Sequence, residues 1–331
     1  MALRGLLKSI LGNARLTRLA ARRGPAAVLV LMYHDLRDDG DFANWLRVPV
    51  SDFDAQLEAL GRLGRFVEPE ALSDPDGLDP RRLNILLTFD DGYVNNHRLA
   101  LPLLARHKAP ALVFVSTRHM REQRPFWPDV IITAVQAGGL DALDLRAFGL
   151  GEARFRPAGN PGRWEDIQRL LVAVKALGNA DHPQVAALLG HLRDRHGDLL
   201  DEHLPRFRPL NAAEAREMAA SGWCRLGAHG HDHDILTYLD DENLDYNLRE
   251  PRRILEEAAG APVVDLAYPN GDFDARVQTG AAAAGYARAY TTRPGLARPE
   301  APPLELPRLG VGADEPLSVL RYQINRLLLE V

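Results

Sequence analysis

A chain of 331 residues with 46% hydrophobic and 26% charged residues is long enough to bury a core of its own, as one large α/β domain or two ordinary ones. Its net charge of −5 gives no basic field of the kind that draws a protein to DNA or RNA, so no nucleic-acid partner is expected. A single cysteine, Cys224, excludes an internal disulfide and a cysteine-rich zinc module, and reads as a small hydrophobe of the core.

Residues 1–24, MALRGLLKSILGNARLTRLAARRG, carry six Lys or Arg and no acid. Leu3, Leu6, Leu7 and Ile10 share one helical face, so a basic leader helix is expected over residues 1–25, packed on its own domain or lying on anionic lipid. The segment lacks the continuous apolar stretch and small-residue cleavage site of a signal peptide, and no run approaches the ~18 apolar residues of a membrane span. Cytoplasmic residence is expected, with any membrane contact made through residues 1–24.

Short apolar runs separated by helical patterns follow over residues 26–331, which is how a parallel α/β sheet or barrel reads. AAVLVLMY (26–33) ends in His34, and NILLTF (84–89) ends in Asp90 and Asp91. PALVFVST (110–117) is a further run of this kind; CRLGA (224–228) ends in His229, and PVVDLAY (262–268) ends in Pro269, Asn270 and Gly271. Parallel barrels build active sites at the C-terminal ends of their strands, where these polar residues fall. A helical insertion is expected at about 120–210. Ile167, Leu170, Leu171 and Val174, then Val185, Leu188, Leu189 and Leu192, each follow i, i+3, i+4, i+7 spacing and predict two helices, with the Gly- and Pro-rich stretch 150–164 as a connecting loop.

Asp90 and Asp91 pose an electrostatic problem. Consecutive strand residues point to opposite faces, so the two carboxylates converge only if the chain turns, as Gly92 permits. At ~4 Å two such charges repel by ~4 kcal/mol at an effective dielectric near 20, enough to force a proton onto one unless a cation intervenes. A divalent metal removes the conflict. His229 and His233, four apart in HGHDH, add two imidazoles to one carboxylate and leave an open position for water, as catalytic zinc sites do. His231, between them, faces away as a surface or supporting residue.

TFDDGY, HGHDH and AYPNG, in this order, resemble the first three motifs of the polysaccharide deacetylases, the family 4 carbohydrate esterases that remove acetyl groups from sugar polymers. The resemblance spans roughly residues 26–310 and implies a distorted (β/α)7 barrel. It implies a catalytic base at Asp90, a metal on Asp91, His229 and His233, and an oxyanion-binding backbone N–H at Asn270. Two departures stand out. Where the third motif usually carries a base-orienting arginine this chain has Ala267, for which Arg308 in LPRLGV is the candidate substitute; and no histidine follows His233 to serve as general acid. The poly-β-1,6-N-acetylglucosamine deacetylases open with a similar YH motif, and the chain resembles that subset, so His34 is the expected acid, with Asp35 capping the following turn. Zn²⁺ is the expected metal, with Co²⁺, Fe²⁺ or Ni²⁺ acceptable to the same donors. The expected activity is removal of acetyl groups from N-acetylated sugars of a polysaccharide or its precursor. A carbohydrate-binding protein that has lost turnover, favoured by Ala267, and an O-acetyl esterase are the alternatives. Tyr93, Phe126, Trp127, Trp223 and Tyr268 are candidates for stacking on sugar rings or for core packing.

Overall fold

Six consecutive buried residues at Val28–Tyr33 and seven at Leu83–Phe89 require a sheet covered on both faces. The computed structural model describes Thr17 and residues 26–329, apart from 40, 43, 161, 180, 314 and 315. The leader helix expected over 1–25 lies outside the described residues, Thr17 excepted. In chain order the first elements are β1 (Val28–Tyr33), β2 (Asp35–Arg37), β3 (Arg47–Pro49), α1 (Val50–Leu63), β4 (Gly64–Phe66), β5 (Leu83–Phe89), α2 (Leu101–His107) and β6 (Ala111–Val115). Next come α3 (Thr117–Glu122), α4 (Trp127–Gln136), β7 (Ala142–Asp144), β8 (Glu152–Arg154), α5 (Arg163–Lys175), α6 (Pro183–His203) and α7 (Ala212–Ala220). The rest comprises β9 (Cys224–Ala228), α8 (Asp241–Ala259), β10 (Asp265–Ala267), α9 (Ala275–Ala283), β11 (Arg288–Tyr290), β12 (Leu309–Gly310) and α10 (Leu317–Leu329).

The main sheet runs β11-β10-β9-β6-β5-β1-β12, every pairing parallel, with β4 added beside β5. The sheet curls on itself. Leu306 N–H donates to Ala289 O at 2.9 Å and Leu306 O accepts from Thr291 N–H at 2.9 Å, so the segment entering β12 also lies along β11. This is the distorted barrel that the strand runs and the resemblance predict.

Alternation along the strands sorts the core into two layers. Val28, Val30, Leu86, Leu112, Phe114, Ala267 and Tyr290 meet inside the ring. Leu29, Leu31, Ile85, Leu87, Val113 and Leu226 pack outward against the helices. The even-numbered interior positions of β1 and β5, continued one residue past the end of each strand, arrive at His34 and Asp90.

Between β6 and β9 the chain builds a second hydrophobic cluster from Ile131, Val135, Ile167, Leu170, Val174, Val185, Leu188 and Leu192. Both predicted helices are present as α5 and α6, but α4 joins them and the antiparallel pair β7–β8 stands where no strand was predicted. Three-residue strands with a single buried side chain, Leu143, leave no periodic signal, and β8 occupies the start of the stretch read as a loop. Among the described residues no helix is long and apolar enough to cross a membrane.

Candidate active site

The interior side of β5 reads Leu86, Thr88, Asp90, and Asp90 N–H makes the last rung to Tyr33 O at 2.9 Å. An extended chain would then point Asp91 outward. Instead Asp91 has φ 72° and Gly92 φ 80°, both left-handed, and Gly92 N–H closes on Asp90 O at 2.9 Å. The turn expected of Gly92 thus begins one residue earlier, at an aspartate, one of the few side chains that tolerates this region. Gly92 is needed as well, because a Cβ there would sit 3.0 Å from Val115 Cγ1. His233 and Asn270 also have φ of 60°, so three of the five left-handed non-glycine residues described surround one site, where such strain tends to collect.

The reversal aims Asp91 at two imidazoles. His229 Nε2 is 3.4 Å and His233 Nε2 3.1 Å from Asp91 Oδ1, and the three ligand atoms lie within 4.8 Å of one another. Tetrahedral bonds of about 2.0–2.1 Å place neighbouring ligand atoms about 3.3 Å apart, so this donor set fits a zinc-sized ion. His229 is held by its backbone N–H on Val115 O at 3.1 Å, and its Nδ1 pairs with Ala267 O at 2.8 Å, which leaves Nε2 for the ion. His233 packs edge-on against Phe126, ring centroids 5.4 Å apart. Burial pushes the Asp91 carboxyl up, but the hydrogen bonds to His229 and His233 outweigh it and hold the group well below the usual range. Burial pushes His229 down, and its bond to Asp91 and the charges of both aspartates bring it above the ordinary value.

Asp90 finds a different partner. Arg308 Nη1 and Nη2 donate to its two oxygens at 2.6 and 2.7 Å, a bidentate pair in which the arginine is fully buried. The guanidinium is fixed in turn by Thr88 Oγ1 at 3.2 Å and Thr291 O at 2.9 Å, and lies over the Phe114 ring. Burial raises the Asp90 pKa, yet the Arg308 charge leads the opposing effects and the result is a lowered value. The two neighbouring carboxylates are therefore neutralised separately, Asp90 by an arginine and Asp91 by a pair of imidazoles. Ala267, at the position where an arginine is usual, has its small side chain in the interior layer with Phe114.

Both groups open onto one cleft of about 600 Å³, also lined by His34, Asn270, Tyr93, Phe126, Trp127, Trp45, Leu171, Val172 and Lys175. His34 arrives on β1, hydrogen-bonded alongside β5 with Tyr33 opposite Phe89. Burial lowers its pKa, and the charges of Asp91 and Asp90 oppose that shift. Asn270 is tied at the rim: Lys175 Nζ donates to its Oδ1, and its Nδ2 donates to Asp272.

Two neighbouring readings need correction. Asp35 lies in β2 and not at a turn: it accepts from Leu36 N–H at 2.9 Å and from Arg47 Nε at 3.2 Å, and Arg47 Nη2 bonds Asp129 at 2.5 Å, while Asp129 accepts from Tyr93 OH at 2.8 Å. His231 does face away from the cleft, but it is buried, paired with Thr117 Oγ1 at 2.8 Å and packed on Tyr246. Of the aromatic candidates, Tyr93, Phe126 and Trp127 line the cleft. Tyr268 is in the core with its OH on Leu304 O, and Trp223 precedes β9 at the opposite end of the barrel. Trp45, Trp164 and Lys175 went unpredicted. The sequence signal available for the last two was the second face of α5, hidden behind its core-forming stripe.

The family described as Polysaccharide deacetylase matches residues 78–142 and 172–289, over half of the chain, and skips β7–β8 and most of α5. YxkH of Bacillus subtilis (strain 168), named for the same family, is 33% identical over 94 residues, 28% of this chain; the match spans about a third (32%) of that relative's length. Among solved structures, the deacetylase PplD of Streptococcus pyogenes, in complex with acetate, superposes with a TM-score of 0.58 at 18% identity, covering 91% of this chain and 99% of that one. IcaB from Ammonifex degensii gives a TM-score of 0.55 at 20% identity, covering 91% of this chain and 97% of that one. At such identities the likeness is one of fold. The family match, the barrel and the strand-end motifs agree: the chain belongs to the polysaccharide deacetylase family.

Proposed function

We propose that this protein is a metal-dependent hydrolase that removes the acetyl group from the nitrogen of an N-acetylated sugar, breaking a carbon–nitrogen bond other than a peptide bond, in the making of an exopolysaccharide. One observation carries the reading: of two adjacent carboxylates, Asp91 is aimed at two imidazoles while Asp90 is held away from them on an arginine. A division of that kind suits one metal ligand and one base.

Asp91, His229 and His233 would hold the metal, with Zn²⁺ first among the ions such donors accept. When bound, the ion would make water more acidic and polarise the acetyl carbonyl. Asp90, kept ionised by Arg308, takes the proton from the attacking water as its oxygen bonds to the acetyl carbon. The Asn270 N–H, on its left-handed turn, donates to the oxygen that becomes negative. His34 gives a proton to the nitrogen as the carbon–nitrogen bond breaks, releasing acetate and a free amine. The alternative of a binding protein without turnover rests on Ala267, and Arg308 supplies at Asp90 the cation that Ala267 lacks. Residence in the cytoplasm, with contact to anionic lipid through residues 1–24, belongs to the same proposal.

Elemental analysis and acetate release from N-acetylglucosamine oligomers test the reading together. The wild-type chain is expected to hold about one metal ion and to release acetate. Asp91→Asn should lose most of the metal and all measurable turnover. A metal-loaded wild type that binds the oligomer and releases no acetate would refute the assignment.

A further inference from the structure

One wall of the cleft that holds Asp90, Asp91, His229 and His233 comes from α5, which lines it with four residues, Gln168, Leu171, Val172 and Lys175. Its residues divide by helical spacing into two faces. Ile167, Leu170 and Val174 enter the core of the insertion. Gln168, Leu171, Val172 and Lys175 face the cleft, and Trp164, one turn before Gln168, pairs with Trp45 across its edge, ring centroids 6.3 Å apart. Trp45 and residues 163–171 of α5 fall outside the family match, whereas Val172 and Lys175 fall within it.

The chemistry of this wall differs from that of the floor. Val172 is 68% exposed and Trp45 39% exposed, and with Leu171, Trp127 and Pro128, backed by the buried Ile132 and Met32, they line the cleft that holds the reacting centre with apolar surface. The cleft's polar side chains are largely engaged with one another: Asp90 with Arg308, Asp91 with the two histidines, Asn270 with Lys175 and Asp272. Among the described residues, His34, Gln168 and the indole N–H groups of Trp45 and Trp127 are left for a ligand's hydroxyls. A glycan of several rings would bring many hydroxyls against Leu, Val and Ile, each costing free energy when it leaves water unpaired. A single polar head followed by a hydrocarbon tail matches this distribution.

Resting on the deacetylase reading, we propose that the substrate is an acetylated sugar attached to an apolar tail, an alkyl or isoprenoid chain, with the sugar at Asp90 and Asp91 and the tail along Leu171, Val172 and the Trp45–Trp164 edge. The basic, amphipathic pattern of residues 1–24 would bring such a protein to the lipid surface where an amphiphile of this kind resides.

The test compares octyl with methyl N-acetyl-β-glucosaminide, the octyl compound below its micellar concentration, alongside a N-acetylglucosamine tetramer. With three methylenes buried, kcat/KM for acetate release should favour the octyl over the methyl glycoside by about 50-fold. Val172→Asp should bring that ratio close to one. An octyl-to-methyl ratio under about 3, or a tetramer that outruns the octyl glycoside, overturns the proposal and makes the wall a surface for glycan rings. A concentration-dependent dimer abolished by Val172→Asp, with no octyl preference, overturns it in favour of a second copy of the chain. Tryptophan fluorescence of the Asp90→Asn protein, titrated with both glycosides, separates this proposal from the functional reading. Tighter octyl binding without acetate release by the wild type would sink the deacetylase assignment and keep the groove; equal binding would sink the groove.

Discussion

Two bidentate arginine–aspartate pairs with the same bond lengths are buried at opposite ends of this barrel, one held end-on through both Nη atoms and the other side-on through Nε and Nη2. Arg308 grips Asp90 at 2.6 and 2.7 Å at the C-terminal ends of the strands, and Arg288 grips Asp265 at 2.6 and 2.7 Å where β10 and β11 begin. Their exposures are alike, 0% and 3% for one pair and 7% and 6% for the other. What differs is the company. Asp265 spends its remaining capacity on Tyr290 OH at 2.9 Å, whereas Asp90 lines a cleft of about 600 Å³ beside the Asp91, His229 and His233 cluster. Burial and pairing are common to both carboxylates; an open side facing the Asp91, His229 and His233 cluster belongs to Asp90 and not to Asp265. Parallel barrels place chemistry at one end and stability at the other, and these two pairs divide along that line.

The comparison breaks most visibly by substituting both aspartates. Asp90→Asn and Asp265→Asn each leave a buried arginine beside a neutral amide, and each should lose about 3 kcal/mol of stability in denaturant titrations. They should part in turnover. Asp90→Asn is expected to lower kcat about 10³-fold with metal content unchanged, the worth of a general base, and Asp265→Asn to leave kcat of the folded fraction within about twofold. Equal kcat losses would erase the distinction between the two ends. Arg308→Lys probes the same contrast more gently. A lysine keeps the charge but cannot hold both oxygens, so the base swings and kcat should fall about 10²-fold, while Arg288→Lys should leave kcat nearly unchanged.

The part of this arrangement that is legible in the sequence is the part fixed by short-range pattern. Largely apolar runs at 28–33, 84–89 and 224–228 announce buried parallel strands, and each carries its terminal polar residues to the same end whatever the rest of the chain does. Asp91, His229 and His233 follow from two such ends being close. The Arg308–Asp90 pair spans 218 positions and depends on β12 closing the ring beside β1, so the sequence offers Arg308 only as a residue that ends a late apolar stretch. The role of Asp35 is hidden because its guanidinium partner stands at 47 and is shared with Asp129, and the burial of His231 is hidden because Thr117 and Tyr246 come from α3 and α8. Trp45, Trp164 and Lys175 are ordinary residues until the insertion folds over the barrel.

A third buried arginine sharpens the contrast by breaking its stoichiometry. Arg47 serves two carboxylates, Asp35 and Asp129, all three buried. Burial, offset in part by Arg47 and reinforced by Asp129, pushes Asp35 up to about 8, and burial also raises Asp129. The folded protein thus keeps a proton that the unfolded chain releases near pH 4. Between those values the native state binds more protons than the unfolded one, so this site's contribution is fully present below about pH 4 and is lost as the pH rises toward 8. Asp35→Asn leaves one carboxylate for one guanidinium, as in the other two pairs, and should flatten that loss. Thermal melts at pH 5 and pH 8 should show the wild type losing about 5 °C more than the variant. A parallel decline would mean that both aspartates are ionised together.

The smallest effect belongs to Cys224, which opens the strand that His229 follows. Burial, with a lesser contribution from Glu68, pushes its thiol up to about 12, so at pH 8 only about 10⁻⁴ of it is thiolate. The strand therefore repeats the contrast between the two ends of the barrel along five residues, an inert group at its start and a member of the candidate metal site just past its end. A thiol-specific reagent at pH 8 should leave the folded protein unlabelled over hours and react within minutes once urea unfolds it, and Cys224→Ser should change kcat by less than about twofold. Rapid labelling of the native state would place the thiol in contact with solvent and remove this end of β9 from the closed, structural half of the barrel.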